Sequence, residues 1–130
     1  MHTQEKNEIY HCEICGNQVE VTRAEGGELI CCGEPMVLKK ALREESNAGS
    51  EKHLPVVTKD GNMLTIEIGN QPHPMEDDHY IEWVEVISGN TLHRRYLQPG
   101  AEPKTNFVCR EETALVRIYC NKHGLWEVEV

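Results

Sequence analysis

The run Cys12-Glu13-Ile14-Cys15, followed after a short hydrophilic stretch by the adjacent pair Cys31-Cys32, puts four thiolates within reach of one metal ion. Gly16 and Gly33 each follow a cysteine of this set. A residue without Cβ lets the backbone turn tightly and aim amide hydrogens back at the sulfurs, which is how a metal knuckle is built. The competing assignment is a disulfide framework. An adjacent-Cys disulfide closes a strained ring and departs from ordinary bridge geometry, so a tetrahedral sulfur-bound metal is the expectation.

At 130 residues the chain suits one domain, or one domain plus a small metal-stapled module. The first forty or so residues carry too few large apolar side chains for a self-sufficient core, so the ion must supply much of the folding free energy there. That segment is expected to unfold without its metal. No apolar run at the amino terminus resembles a signal peptide and none approaches membrane-spanning length, which predicts a soluble, cytoplasmic protein with no membrane partner. Six cysteines kept reduced in a cytosol are ligands or inert thiols rather than bridges. A net charge of -9 argues against nucleic acid as a partner, because that affinity comes largely from Lys and Arg neutralising phosphates.

Residues Lys39 to Ser50 carry no periodic apolar face and read as a connector between a unit at 1–38 and another at 51–130. Beyond it, short apolar runs alternate with turn signals, and no window has the spacing of an amphipathic helix. Met63 to Ile68, Ile81 to Val86 and Leu125 to Val130 alternate cleanly, each predicting one face in and one out. Leu54 to Thr58, Leu92 to Leu97, Thr105 to Cys109 and Ala114 to Cys120 are further strand candidates. About seven strands, divided by turns such as Asp60-Gly61 and Gln98-Pro99-Gly100, predict a β-sandwich.

The histidines form a second pattern. His53, His73 and His79 lie in or beside loops, and Cys120 and His123 make a Cys-x-x-His at a strand end. In Pro72-His73-Pro74 the flanking prolines restrict the backbone, so the imidazole has little entropy left to lose on ligation. Each histidine alone reads as a surface residue. Together with Cys120 they make a possible second metal site whose mixed nitrogen and sulfur donors suit iron or copper better than calcium or magnesium.

Taken in order, Cys12-Glu13-Ile14-Cys15-Gly16-Asn17, Cys31-Cys32-Gly33-Glu34-Pro35-Met36, Glu51-Lys52-His53-Leu54-Pro55, His73-Pro74-Met75, His79-Tyr80-Ile81-Glu82-Trp83 and Tyr119-Cys120-Asn121-Lys122-His123-Gly124 resemble the motifs of desulfoferrodoxin, the two-iron form of superoxide reductase. The likeness covers nearly the whole chain. It implies a mainly β protein: a small desulforedoxin-like domain followed by an immunoglobulin-like sandwich, assembled as a homodimer. By position it implies that Cys12, Cys15, Cys31 and Cys32 bind one iron. It further implies that His53, His73, His79 and His123 are equatorial and Cys120 axial ligands of a second. The implied activity is one-electron reduction of superoxide to hydrogen peroxide without dioxygen, at a ferrous centre open opposite the thiolate, with electrons from a rubredoxin-like or other reductase donor. Glu51 is implied to close the open position in the resting ferric state, and Lys52 to draw in the anion and organise a proton-delivering water.

Outside those motifs, Trp83 and Trp126 read as sandwich core and Cys109 as a buried thiol. His2, His11 and His93 read as surface residues. Two other functions use only the first cysteine set: a zinc-ribbon interaction module and a rubredoxin-like electron carrier. Both leave the histidines and Cys120 idle.

Overall fold

The computed structural model describes residues 2–44 and 47–130, so Glu45 and Ser46 of the expected connector lie outside the described residues. The chain forms two compact units, Met1–Lys40 and Ala41–Val130.

In the first unit, β1 (Ile9–His11), β2 (Gln18–Glu20) and β5 (Val37–Lys39) make an antiparallel sheet in the order β2-β1-β5. Between them β3 (Ile30–Cys31) and β4 (Glu34–Pro35) form a minimal hairpin whose tip is Cys32-Gly33. The core consists of Tyr10, Cys12, Val21 and Met36, with Ala24, Leu29, Cys31 and Leu38 packed against it. Fully burying one large apolar side chain stabilises by roughly 1.5–3 kcal/mol. So small a set leaves the conformational entropy of the unit largely unopposed without a ligand.

The second unit opens with one helical turn, α1 (Ser50–His53), followed by seven strands: β6 (Pro55–Asp60), β7 (Met63–Ile68), β8 (Ile81–Ser88), β9 (Thr91–Tyr96), β10 (Lys104–Val108), β11 (Leu115–Cys120) and β12 (Gly124–Glu129). They form two antiparallel sheets, β10-β7-β6 and β12-β11-β8-β9, and the expected strands are displaced by at most two residues at any end. Leu64, Ile66 and Ile68 alternate inward along β7, and Phe107 of β10 lies opposite Leu64. From the other sheet come Val84, Val86, Val116, Ile118 and Trp126, and Cys109 joins the same cluster as a buried thiol.

Two expectations need correction. β8 does not present an outer face to water: Trp83 is 3% exposed and Glu85 fully buried. Glu85 is tolerated there because its directly paired cross-strand neighbours are Arg94 on β9 and Arg117 on β11. Arg94 Nε donates to Glu85 Oε1 at 2.8 Å and Arg117 Nε to Glu85 Oε2 at 2.6 Å, so both carboxylate oxygens are satisfied. The stretch 39–50 is also more than a connector. Leu42 exchanges backbone hydrogen bonds with Leu125 and Glu127, extending the β12 edge, and Arg43 pairs with Glu127 and Glu129.

Candidate metal centres

Cys12 and Cys15 sit on the turn after β1, and Cys31 and Cys32 on the β3–β4 hairpin, so two tight turns face their sulfurs together. Gly16 and Gly33 have positive φ, as does Cys32 at 55°, a conformation that a β-carbon residue adopts only when its surroundings hold it. The backbone amide of Cys15 donates to Cys12 Sγ at 3.5 Å and that of Asn17 to Cys15 Sγ at 3.4 Å. Cys15 Sγ lies 3.6 Å from Cys31 Sγ, which lies 4.0 Å from Cys32 Sγ. A metal with bonds of about 2.3 Å to four sulfurs has tetrahedral edges of about 3.8 Å, so the four thiols stand at coordination spacing. Their acidities point the same way. Hydrogen bonding from the Cys15 amide brings Cys12 down to about 7, whereas hydrogen bonding with Cys15 and Cys31 pushes Cys32 up to about 12. Four thiolates cannot coexist this closely unless a cation holds them.

The second cluster gathers His53 from α1, His73 and His79 from the β7–β8 loop, and Cys120 and His123 from the β11–β12 turn. His53 Nδ1 lies 2.8 Å from the Gly49 carbonyl and His73 Nδ1 2.7 Å from that of Pro74. Each Nδ1 therefore carries the proton and leaves a bare lone pair on Nε2. Those two Nε2 atoms face one another at 3.0 Å, His123 Nδ1 is 3.1 Å from His53 Nε2, and His79 Nε2 is buried with no hydrogen-bond partner among the described residues. Burial lowers the pKa of His53 and His79, and takes His73 down to about 4, so the rings are neutral at pH 7. Converging lone pairs without protons between them repel, and a cation at their centre reverses the sign.

The rings are arranged as a near-square. In chain order, centroids are separated by 4.6 Å (His53 to His73), 4.8 Å (His73 to His79), 5.0 Å (His79 to His123) and 4.8 Å (His123 to His53), with a 6.4 Å diagonal from His53 to His79. The Cys120 sulfur lies within 4.8 Å of the His53, His73 and His79 donors and 3.8 Å from His123 Nδ1. A register shift in the β11–β8 ladder falls between Tyr119 and Cys120, which redirects the side chain at the strand end. Cys120 is fully buried, raising its thiol pKa, while the His123 amide donates to its sulfur at 3.4 Å. Four imidazoles and one thiolate in this array do not suit the tetrahedral geometry of a structural zinc. They fit a metal preferring a tetragonal mixed field.

The sequence missed much of the support. Trp126 belongs to the core as expected, but its ring also stacks on His53 at 4.9 Å and its indole N–H donates to the His123 carbonyl at 3.2 Å. Gly69, at φ +83°, packs so closely on α1 that a Cβ there would stand 2.6 Å from Lys52 Cα. The amides of Gly69 and Gln71 donate to Leu54 and Glu51, holding the turn that delivers His53. Glu51 and Lys52 are exposed on that turn, and no ion pair of either occurs among the described residues. Of the residues read as surface histidines, His2 and His93 are exposed, but His11 Nδ1 is buried, with no hydrogen-bond partner among the described residues and Glu13 Oε1 3.8 Å away. The six cysteines, Cys109 included, are unbridged.

Known proteins sharing this sequence and fold are consistent in kind. The desulfoferrodoxin family pattern matches residues 45–129, and that of the desulfoferrodoxin N-terminal domain residues 4–38. A desulfoferrodoxin homolog of Archaeoglobus fulgidus is 46% identical, over 92% of this chain and 94% of that one. A superoxide reductase of Pyrococcus horikoshii is 30% identical, over 72% of this chain and 97% of that one. Among solved structures, the superoxide reductase from Treponema pallidum superposes with a TM-score of 0.75 over 93% of this chain and 96% of that one, at 22% identity, a likeness of fold.

Proposed function

This chain belongs to the desulfoferrodoxin family, and from that premise we propose that it is a superoxide reductase with two iron centres. One superoxide, one electron and two protons give one hydrogen peroxide, and no dioxygen forms. The observation that carries the proposal is the near-square of four imidazoles beside the buried thiol of Cys120. Cys12, Cys15, Cys31 and Cys32 would hold one iron, and His53, His73, His79, His123 and Cys120 the other. When bound, the second iron supplies the single electron, its potential tuned by thiolate donation from Cys120.

The protein's part is selection and positioning. Cys120, His53 and His73 are buried whereas His123, Glu51 and Lys52 are exposed, so the cluster opens to solvent on the side of α1 and His123. Lys52 offers a local cation in a chain of net charge -9, and Glu51 is the adjacent carboxylate on the same turn. We assign Lys52 to attracting the anion and ordering a proton-donating water, and Glu51 to closing the open position at rest. The first centre is assigned to 1–38 and the reductase unit to 51–130, joined through 39–50. A reducing cytoplasmic setting is supported by six unbridged cysteines. A homodimer, and a rubredoxin-like or other reductase as electron donor, rest on the family resemblance. No helix among the described residues is long and apolar enough to cross a membrane.

The decisive experiment is stoichiometric. Purified protein should contain two irons per chain and give one hydrogen peroxide per superoxide consumed in the presence of a reductant. Release of dioxygen at one peroxide per two superoxides would replace the proposal with dismutation.

Cys32→Ser should bleach the colour of a ferric four-sulfur centre and loosen the first unit while the second remains folded, since the two donor sets lie in separate compact units. Superoxide reduction with an artificial reductant should survive. Its complete loss with the second iron retained would refute the independence.

Lys52→Ala should slow the bimolecular reaction toward the lower part of the roughly 10- to 10³-fold range available to local charge focusing. The wild-type rate should fall with added salt and the variant's should fall less or rise, as the acidic surface takes over. Pulse radiolysis across a salt series reads both slopes, and identical slopes would return Lys52 to an ordinary surface role.

A further inference from the structure

His79 is the weakly anchored member of the square. His53 and His73 each fix their rings through an Nδ1 bond to a backbone carbonyl, and the His123 carbonyl is held by Trp126, but no hydrogen bond from the His79 ring occurs among the described residues. Its position therefore depends on where the loop carries it. That loop is locally stiff: Glu76 and His79 exchange backbone hydrogen bonds at 2.9 and 3.2 Å. Asn121, which stands next to Cys120, ties this turn to the rest of the cluster, beside an exposed Lys122–Asp78 ion pair at 4.0 Å. Asn121 Oδ1 accepts from the Tyr80 amide at 2.9 Å, Asn121 Nδ2 donates to the Asp78 carbonyl at 3.0 Å, and the Asn121 amide donates to the Tyr80 carbonyl at 3.2 Å. The side chain thus grips the backbone on both sides of His79 and joins it to the turn bearing Cys120 and His123.

We propose that Asn121 is a positioning residue of the second metal centre, setting the distance between the His79 imidazole and the Cys120 thiolate through its two-sided clamp on residues 78 and 80. This rests on the proposed function, in which His79 and Cys120 hold the same iron. A carboxamide is required because the clamp needs an acceptor for the Tyr80 N–H and a donor for the Asp78 carbonyl in one side chain. Asp supplies only the acceptor, Ala neither. Partners that orient metal ligands typically contribute 10- to 100-fold in metal affinity or activity.

The experiment uses the iron-loaded protein. Loss of the second iron to a chelator is timed, and the ferric electron paramagnetic resonance signal of that site is recorded beside the signal of the four-sulfur iron, an internal control in the other unit. Asn121→Ala should lose the second iron about 10-fold faster or more and show a changed signal geometry, with the four-sulfur signal unaltered. Asn121→Asp should fall between Ala and wild type, which a loss of general stability would not produce. Both variants within twofold of wild type, with an unchanged second signal, would overturn the clamp while leaving the proposed function standing. A wild type that holds no iron at the second centre would overturn the function and the clamp together. If Asn121→Ala does not accumulate, Asn121→Asp alone decides, since a wild-type release rate and signal in it would show that the bond to Asp78 positions nothing.

Discussion

Cys120→Ser is expected to abolish superoxide reduction, with a loss of at least about 10²-fold, beyond what removing an orienting partner of a ligand typically costs. The sulfur is fully buried, so no solvent group can replace it, and burial disfavours the charged form of the His53, His73 and His79 rings around it. A serine hydroxyl at the same place stays protonated and gives the iron neither negative charge nor the soft donation that sets its potential. The Trp126 stack and the two ring-to-carbonyl bonds do not involve Cys120, so the imidazoles should keep their arrangement and some iron should still bind. The measurements are iron content and pulse-radiolysis rates on the same preparation. Wild-type rates with full iron would show that Cys120 does not hold that iron.

The second large effect is on stability. Glu85→Ala should destabilise the second unit by about 3–5 kcal/mol, because it leaves the guanidiniums of Arg94 and Arg117 without their shared buried carboxylate. Arg117 is 5% exposed and cannot turn to water, while Arg94 is held over the Trp83 ring at 4.8 Å. Truncating an exposed glutamate such as Glu102 should change stability by no more than about 0.5 kcal/mol. Urea unfolding followed by tryptophan fluorescence separates the two. A Glu85→Ala midpoint matching that of Glu102→Ala would mean that the triad contributes nothing.

Glu85 also shows where the sequence stopped being readable. In Ile81-Glu82-Trp83-Val84-Glu85-Val86 the alternation predicted one face in and one out, with Trp83 read as core; the structure puts Val84 and Val86 in the core cluster and leaves Trp83 and Glu85 on the opposite face, which is covered as well. Period-two patterning reports which residues share a face, not whether that face is covered. Only the cross-strand register put two arginines beside this carboxylate. Leu42 and Arg43 failed for the same reason: a stretch without apolar periodicity can still add to a sheet edge, since backbone hydrogen bonds need no side-chain pattern.

By itself the sequence determined the strands and named the candidate donors. Cysteine spacing is a property of tight turns, and alternation is a property of one extended segment; both are local, so the four cysteines come together and the strands fall within two residues of where the alternation put them. His53, His73, His79, His123 and Cys120 were legible as candidates because turns and prolines already restrict them. Only the tertiary structure decided that four imidazoles stand in a near-square in chain order, and that Gly49 and Pro74 choose the tautomers of His53 and His73. The grip of Asn121 on the His79 loop belongs with them. These features depend on which carbonyl or ring closes against which across a sandwich, and that is settled by strand pairing between residues far apart in sequence.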